Sequence, residues 1–290
     1  MDGAHPGARS LSRSASPFAH VLAATDGSER AQEATARGAR LAALSGADLE
    51  IAFVIDTHRP HEEDVDRRAE DVLERAAEIA RAHHADPSVR VLAGDPAEAI
   101  LREAADRRAD LVCLGPDAGL LGGAIRIGRV AAHVLRHAAC SVLVGREAGP
   151  DFPSVVLCAI DGSAGSAGTA GLGAQIARAG GADLRLQHVI PIFRGDSAGW
   201  TLDEGEPSPP ELEPAVEAAR SLGVEPVREM AMGRPEHALV ETVRRDAVDL
   251  AVLGHRGLSG VQRVLLGSVS EYVATHAPCS VLVARAGAET

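Results

Sequence analysis

Apolar and polar positions along this chain switch between the two-residue period of a strand and the 3.6-residue period of a helix. Ala19-His20-Val21-Leu22-Ala23-Ala24 is a short apolar run that predicts a strand. The turn signal Asp26-Gly27-Ser28 follows. Ala, Leu and Arg then recur at helical spacing over residues 30–44, until Gly46 ends the segment. Residues 49–55 alternate as a second strand, and 64–84 predict an amphipathic helix with Val65, Val72, Leu73, Ala76 and Ile79 on one side. A third strand over 89–92 leads to Gly94-Asp95-Pro96, which opens a helix with proline in its first turn. Residues 109–114, 129–137 and 141–144 then predict strand, helix and strand. The same order recurs from Val155 to Val283. Such alternation predicts an α/β fold, built as two tandem open parallel-sheet sandwiches with helices on both faces.

The recurrence is visible in the residues themselves. Ala24-Thr25-Asp26-Gly27-Ser28 returns as Ala159-Ile160-Asp161-Gly162-Ser163, and Gly46-Ala47-Asp48-Leu49 as Gly181-Ala182-Asp183-Leu184, both at an offset of 135. Cys140-Ser141-Val142-Leu143-Val144 returns as Cys279-Ser280-Val281-Leu282-Val283 at an offset of 139. The extra four residues fall between the second and third strands, so the halves differ mainly in one loop and the helix after it. Repeats of this length define domains. The expected division is a disordered tail over 1–16 and two domains over 17–148 and 151–286. Residues 191–214, with the single Trp200, are the least regular stretch of the second half.

Composition narrows the chemistry. The chain is 46% hydrophobic and 2% aromatic, so its cores must be built from Ala, Val, Leu and Ile. It carries no apolar run of the roughly 20 residues that span a bilayer, and the first 16 residues lack the apolar core of a secretory signal. A formal charge of −12 argues against a nucleic-acid surface. Cys113, Cys140, Cys158 and Cys279 fall in expected strands with no zinc or CxxC spacing, so reduced buried thiols and a cytoplasmic location are expected. There is no lysine; all 29 basic residues are arginine. That excludes a P-loop, whose lysine reaches the β- and γ-phosphates, and Schiff-base chemistry, which needs an amine.

The strongest chemical signal lies at the end of the second half's fourth strand. Leu253-Gly254-His255-Arg256-Gly257 leaves that strand, and Gly267-Ser268-Val269-Ser270 opens the next helix. Glycines at a strand exit let backbone approach a ligand, and a helix start offers unpaired N–H groups and the positive dipole end. Both features suit a phosphate. In an open parallel sheet, ligands sit beyond the carboxyl ends of the strands, which places Asp161 and Gly254 on one edge. Arg256 suits a phosphate partner, and His255 suits a loop-packing role more than that of a general base.

These residues resemble the universal stress protein family in its tandem form, over nearly all of the chain after the tail. The ATP-binding members carry G-x2-G-x9-G-[ST], matched by Gly254, Gly257, Gly267 and Ser268, and an aspartate after the first strand, matched by Asp161 and by Asp26. The resemblance implies a Rossmann-like, adenine nucleotide alpha hydrolase-like domain of roughly 140 residues. It implies ATP, with or without Mg²⁺, with adenine at Asp161 and with Ile160, Ser163 and Val189 also in the site. The loop residues Gly254, His255, Arg256 and Gly257, and the helix-start residues Gly267, Ser268, Val269 and Ser270, would hold the rest. It also implies that the last strands of the halves pair as a pseudo-dimer, and offers the same strands for a homodimer.

The first half keeps Thr25, Asp26, Ser28, Gly115 and Gly128 but departs from the motif. Ala118 stands where the second glycine belongs, with Gly119 one position late, and Arg129 replaces the serine. A weakened or lost site is expected there, with Arg129 either meeting a phosphate or filling an empty pocket. Gly171-Leu172-Gly173-Ala174 mimics a dinucleotide fingerprint, but it falls inside an expected helix. Three functions remain open: a regulatory nucleotide binder, a slow ATPase or nucleotidyl transferase, and an interaction protein with vestigial pockets.

Overall fold

The computed structural model describes residues 16–58, 64–116, 127–191, 210–255 and 266–285. The expectations placed on the tail before Ser16 and on Ala118, Gly119, Trp200, Arg256 and Gly257 lie outside them.

In the first half the elements are β1 (His20–Thr25), α1 (Glu29–Ser45), β2 (Asp48–Asp56), α2 (Val65–Ala82), β3 (Pro87–Gly94), α3 (Pro96–Asp106), β4 (Leu111–Leu114), α4 (Arg129–His137) and β5 (Ser141–Val144). The second half has β6 (Val155–Ile160), α5 (Ser166–Gly180), β7 (Asp183–Ile190), α6 (Glu213–Ser221), β8 (Val227–Met232), α7 (Pro235–Arg245), β9 (Leu250–Gly254), α8 (Ser268–His276) and β10 (Ser280–Ala284). Helix α2 has 18 residues and its counterpart α6 has 9, and there the repeat loses its register.

Local chemistry sets the boundaries. The Ser28 hydroxyl accepts the Ala31 N–H to cap α1, and Asp95 accepts the N–H groups of Ala97 and Glu98 to cap α3. Gly46 and Gly181 end α1 and α5 in the left-handed conformation, with φ of 63° and 69°. The apparent fingerprint at Gly171 lies inside α5. There Gly173 lets the helix settle on β6: a Cβ at that position would come within 2.2 Å of the Cys158 sulfur.

The described strands form one ten-stranded sheet in the order β3-β2-β1-β4-β5-β10-β9-β6-β7-β8. Pairing is parallel within each half and antiparallel at the join, where Val281 faces Val144 and Val283 faces Val142. The strands offered for pairing two chains are thus consumed within one: β5 lies between β4 and β10, and β10 between β5 and β9. The free edges among the described strands are β3 and β8, where Val89, Val91 and Val227 are exposed.

Both faces of the sheet are covered, and each core runs across the join. One contains Leu41, Leu73, Ile176 and Val216 from α1, α2, α5 and α6. The other contains Ile100, Val134, Leu239 and Val273 from α3, α4, α7 and α8.

The join also exchanges caps. Arg146, buried just after β5, donates its backbone N–H to the Ser280 hydroxyl at 3.0 Å. Its guanidinium donates to the carbonyl of Ala274 in the last turn of α8 and to that of Cys279 just before β10. Arg285, 139 positions later, does the reciprocal. Its N–H meets the Ser141 hydroxyl at 3.2 Å, and its guanidinium meets the carbonyls of Leu135 and Arg136 at the end of α4. Each half thereby satisfies carbonyls that the other half's helix leaves without a partner.

Two of the four cysteines sit otherwise than expected. Cys113 and Cys158 are in strands, whereas Cys140 and Cys279 directly precede β5 and β10. All four are free. Burial pushes the thiols of Cys158 and Cys279 up to about 12 and that of Cys140 up to about 11.

Candidate functional site

The second half builds its chamber from a tight turn and a helix start. At the end of β6 the chain must reverse toward α5, and Gly162 makes the reversal at φ of 79°. The Asp161 carboxylate organises that turn: its Oδ1 accepts the Ser163 N–H at 3.0 Å and the Ser166 hydroxyl at 2.9 Å. Across the sheet edge, β9 ends at Gly254 and α8 begins at Ser268, with Gly267 as its cap residue and no side chain bonded over its first N–H groups. The loop between them is closed at its base by main chain. The His255 N–H donates to the Ala284 carbonyl at 3.0 Å, and the Gly267 N–H donates to the His255 carbonyl at 2.8 Å.

A cavity of about 260 Å³ lies between these two structures. The expected residues converge on it from three directions: Ile160, Asp161 and Ser163 from the first turn, Val189 from β7, and Gly254, Gly267, Ser268, Val269 and Ser270 from the other side. His255 is not on its wall; its backbone clasps the loop instead, as the bonds above describe. The Ser270 hydroxyl donates to the Gly254 carbonyl at 2.6 Å, so it ties α8 to the strand end rather than standing free for a ligand.

Sequence reasoning missed the floor. Gln187 and His188 of β7 line it, with Leu239 of α7 above. The His188 Nδ1–H donates to the Ile160 carbonyl at 2.9 Å. Gln187 is 2% exposed, and its amide nitrogen donates to the Thr242 hydroxyl at 2.9 Å. Its Oε1 is buried without a partner. An orphaned buried acceptor costs about 1–3 kcal/mol, and this one is sealed away from any solvent-sized opening. The period-two pattern of β7 placed Gln187 on one face, but only the fold shows that this face meets the cavity. The residues present fit an adenine nucleotide: an apolar wall at Val189 and Leu239 for the base, and a hydroxyl and bare N–H groups at the helix start for phosphate.

Among the described residues no three His, Cys, Asp or Glu side chains gather as metal ligands, and no helix is long and apolar enough to cross a membrane.

In the first half Arg129 does not fill the pocket, one of the two roles open to it. A cavity of about 530 Å³, twice the volume, lies at the same edge. Thr25, Asp26, Ser28 and Gly115 line it as expected. Gly128 caps α4 and Arg129 is exposed, and neither forms part of the wall, because the helix start directs Val130 and Ala131 inward instead. Gly115 serves packing as well: a Cβ there would come within 3.1 Å of the main chain of Arg30 and Ala31. The residues missed were Phe53, Asp56 and Arg68, none of which belongs to a motif.

The universal stress protein family model matches the chain twice, over residues 17–146 and 154–285. A universal stress protein of Bacillus subtilis is 39% identical over 74 residues, which is 26% of this chain and only 50% of that protein. One of Methanocaldococcus jannaschii is 31% identical over 147 residues, 47% of this chain and 85% of that protein. The crystal structure of a universal stress protein from Archaeoglobus fulgidus superposes with a TM-score of 0.71 at 21% identity, covering 92% of this chain and 98% of that one. At that identity the likeness speaks for the fold.

Proposed function

The chain belongs to the universal stress protein family, and from that premise we propose that its second half binds an adenine nucleotide, ATP in the first place, as a regulatory ligand. The observation that carries this reading is the convergence of the Asp161 turn and an uncapped helix start at Ser268 on one cavity. The apolar wall of Val189 and Leu239 holds the ring. The cavity is below the roughly 300–1,000 Å³ of drug-sized sites, so base and sugar fill it and the phosphates lie at the mouth over α8. There the Ser268 hydroxyl and the helix dipole, about half a unit charge, meet them without an ammonium group. Mg²⁺, where present, would travel with the phosphates, and Asp161 is the carboxylate nearest in kind to a ligand for it. The signal is occupancy of the site.

Calorimetric titration of the full chain with ATP tests this. One equivalent is expected, weakened about tenfold or more in Asp161→Ala/Ser268→Ala, the share of one or two hydrogen bonds to charged groups. Equal binding by that variant would refute the assignment. Steady release of phosphate from ATP, lost in Asp161→Ala, would replace the regulatory reading with an enzymatic one.

A further inference from the structure

We propose that His133 and His137 of α4 form a two-nitrogen chelate for an imidazole-seeking divalent transition metal, Cu²⁺ above all, with Glu98 of α3 as the neighbouring negative charge. Neither ring lines either chamber, so the proposal is independent of the nucleotide reading.

Spacing comes first. The chain has 12 histidines, and 133 and 137 are its one pair four residues apart. Side chains at that spacing stand one above the other on a helix, which lets two imidazoles hold one ion. In the structure the two rings lie face to face, with centroids 4.1 Å apart and 25° between their planes. His133 is partly exposed and His137 is exposed, so an ion reaches them from solvent.

The second observation is how the rings are held. The His137 Nδ1–H donates to the His133 carbonyl at 2.8 Å, the kind of bond that orients a ligating imidazole and presents Nε2 to a metal. His133 Nε2 lies 3.0 Å from Glu98 Oε1. Glu98 stands in the first turn of α3, where Asp95 accepts its N–H. A cation that takes His133 Nε2 displaces the proton between that nitrogen and the carboxylate, and the proton leaves to solvent. The backbone beneath is fixed as well, because Arg285 donates to the carbonyls of Leu135 and Arg136 in the same turn. The rings and the carboxylate do not surround one point, so two nitrogens bind the ion and water fills its remaining positions. Imidazole favours Cu²⁺ over Zn²⁺, and it leaves Mg²⁺ and Ca²⁺ to oxygen ligands.

The second half supplies the contrast. At an offset of 139, Glu98, His133 and His137 become His237, Tyr272 and His276. His276 keeps its bond, the Nδ1–H donating to the Tyr272 carbonyl at 2.8 Å. Tyr272, however, puts a phenol one turn before it, stacked on His237 at 5.2 Å and on His276 at 3.9 Å. The two imidazoles are thus separated by a ring that replaces one of them, and the chelate is confined to the first half.

Calorimetric titration of the full chain with CuCl₂, without nucleotide, tests this. One equivalent is expected, weakened about tenfold or more in His133→Ala and in His137→Ala, and about tenfold in Glu98→Gln. His276→Ala should bind as wild type does, and excess Mg²⁺ should leave the titration unchanged. Paramagnetic resonance of the bound Cu²⁺ should show two coordinated imidazole nitrogens in wild type and one in His137→Ala. The proposal is overturned if either single variant in α4, melting as wild type does, binds Cu²⁺ as tightly as wild type. It is equally overturned if His276→Ala loses as much affinity as they do, or if the wild-type spectrum lacks the imidazole pair.

Discussion

The two chambers occupy the same edge of one sheet, yet they have diverged at opposite ends. The second keeps a hydroxyl at the start of α8 and a polar floor at Gln187, within about 260 Å³. The first loses both, gains a second carboxylate at Asp56, and opens to about 530 Å³. Their shared parts are backbone devices: an aspartate-organised turn, a glycine at φ of 84° or 79°, and a helix start facing a strand end. A fold can therefore keep the crevice while point changes alter its floor and mouth. Sequence repetition tracks the crevice, not its lining.

The comparison can be broken most severely at the join. Arg146 is buried, with burial holding its guanidinium down at about 10, while Arg285, its counterpart, is half-buried. Arg146→Met should destabilise the chain by about 3 kcal/mol, because it strands the carbonyls of Ala274 and Cys279, and Arg285→Met by about 1 kcal/mol. Urea unfolding would measure both, and equal losses would show that the halves are not asymmetric there.

Next come the glycines beneath the helices. Gly173→Ala would press a methyl group against the Cys158 sulfur at 2.2 Å, and Gly38→Ala, its counterpart, against the Cys113 sulfur at 2.8 Å. Overpacking of this kind costs about 1–3 kcal/mol, with the larger loss expected at Gly173. Thermal melts of the two single variants rank them. A smaller effect is expected at the phosphate end. Arg129→Ser returns the counterpart of the Ser268 hydroxyl to the first half and should tighten its ATP binding about tenfold, read by equilibrium dialysis in the Asp161→Ala/Ser268→Ala background.

Alkaline pH probes the buried thiols. Their folded values lie above the ordinary 9, so the folded chain holds protons that the unfolded chain releases. Stability from this source is complete below pH 9 and falls as pH rises from 9 toward 12. Thiol titration at pH 8.5 should find Cys158 and Cys279 unreactive until denaturant is added; ready modification in the folded chain would contradict their burial. The smallest effect belongs to the exposed ion pair Arg136–Glu271 between α4 and α8, where Glu271→Gln should change stability by no more than about 1 kcal/mol.

The sequence by itself determined the parallel α/β layers, the two-fold repetition and the family. Period-two and 3.6-residue patterns, capping residues and glycines act over a few neighbours, so they can be read without knowing the fold. It also supplied the rim of the second chamber, because Asp161, Gly254, Gly267 and Ser268 stand at strand ends and a helix start that the pattern already marks. Tertiary structure alone decided the rest. Gln187, Asp56 and Arg68 become wall residues only when neighbouring strands and helices bring them to one cavity. The antiparallel β5–β10 pairing and the exchanged arginine caps join residues more than 120 positions apart. No local period records such contacts, since they depend on which surfaces meet after the chain has folded.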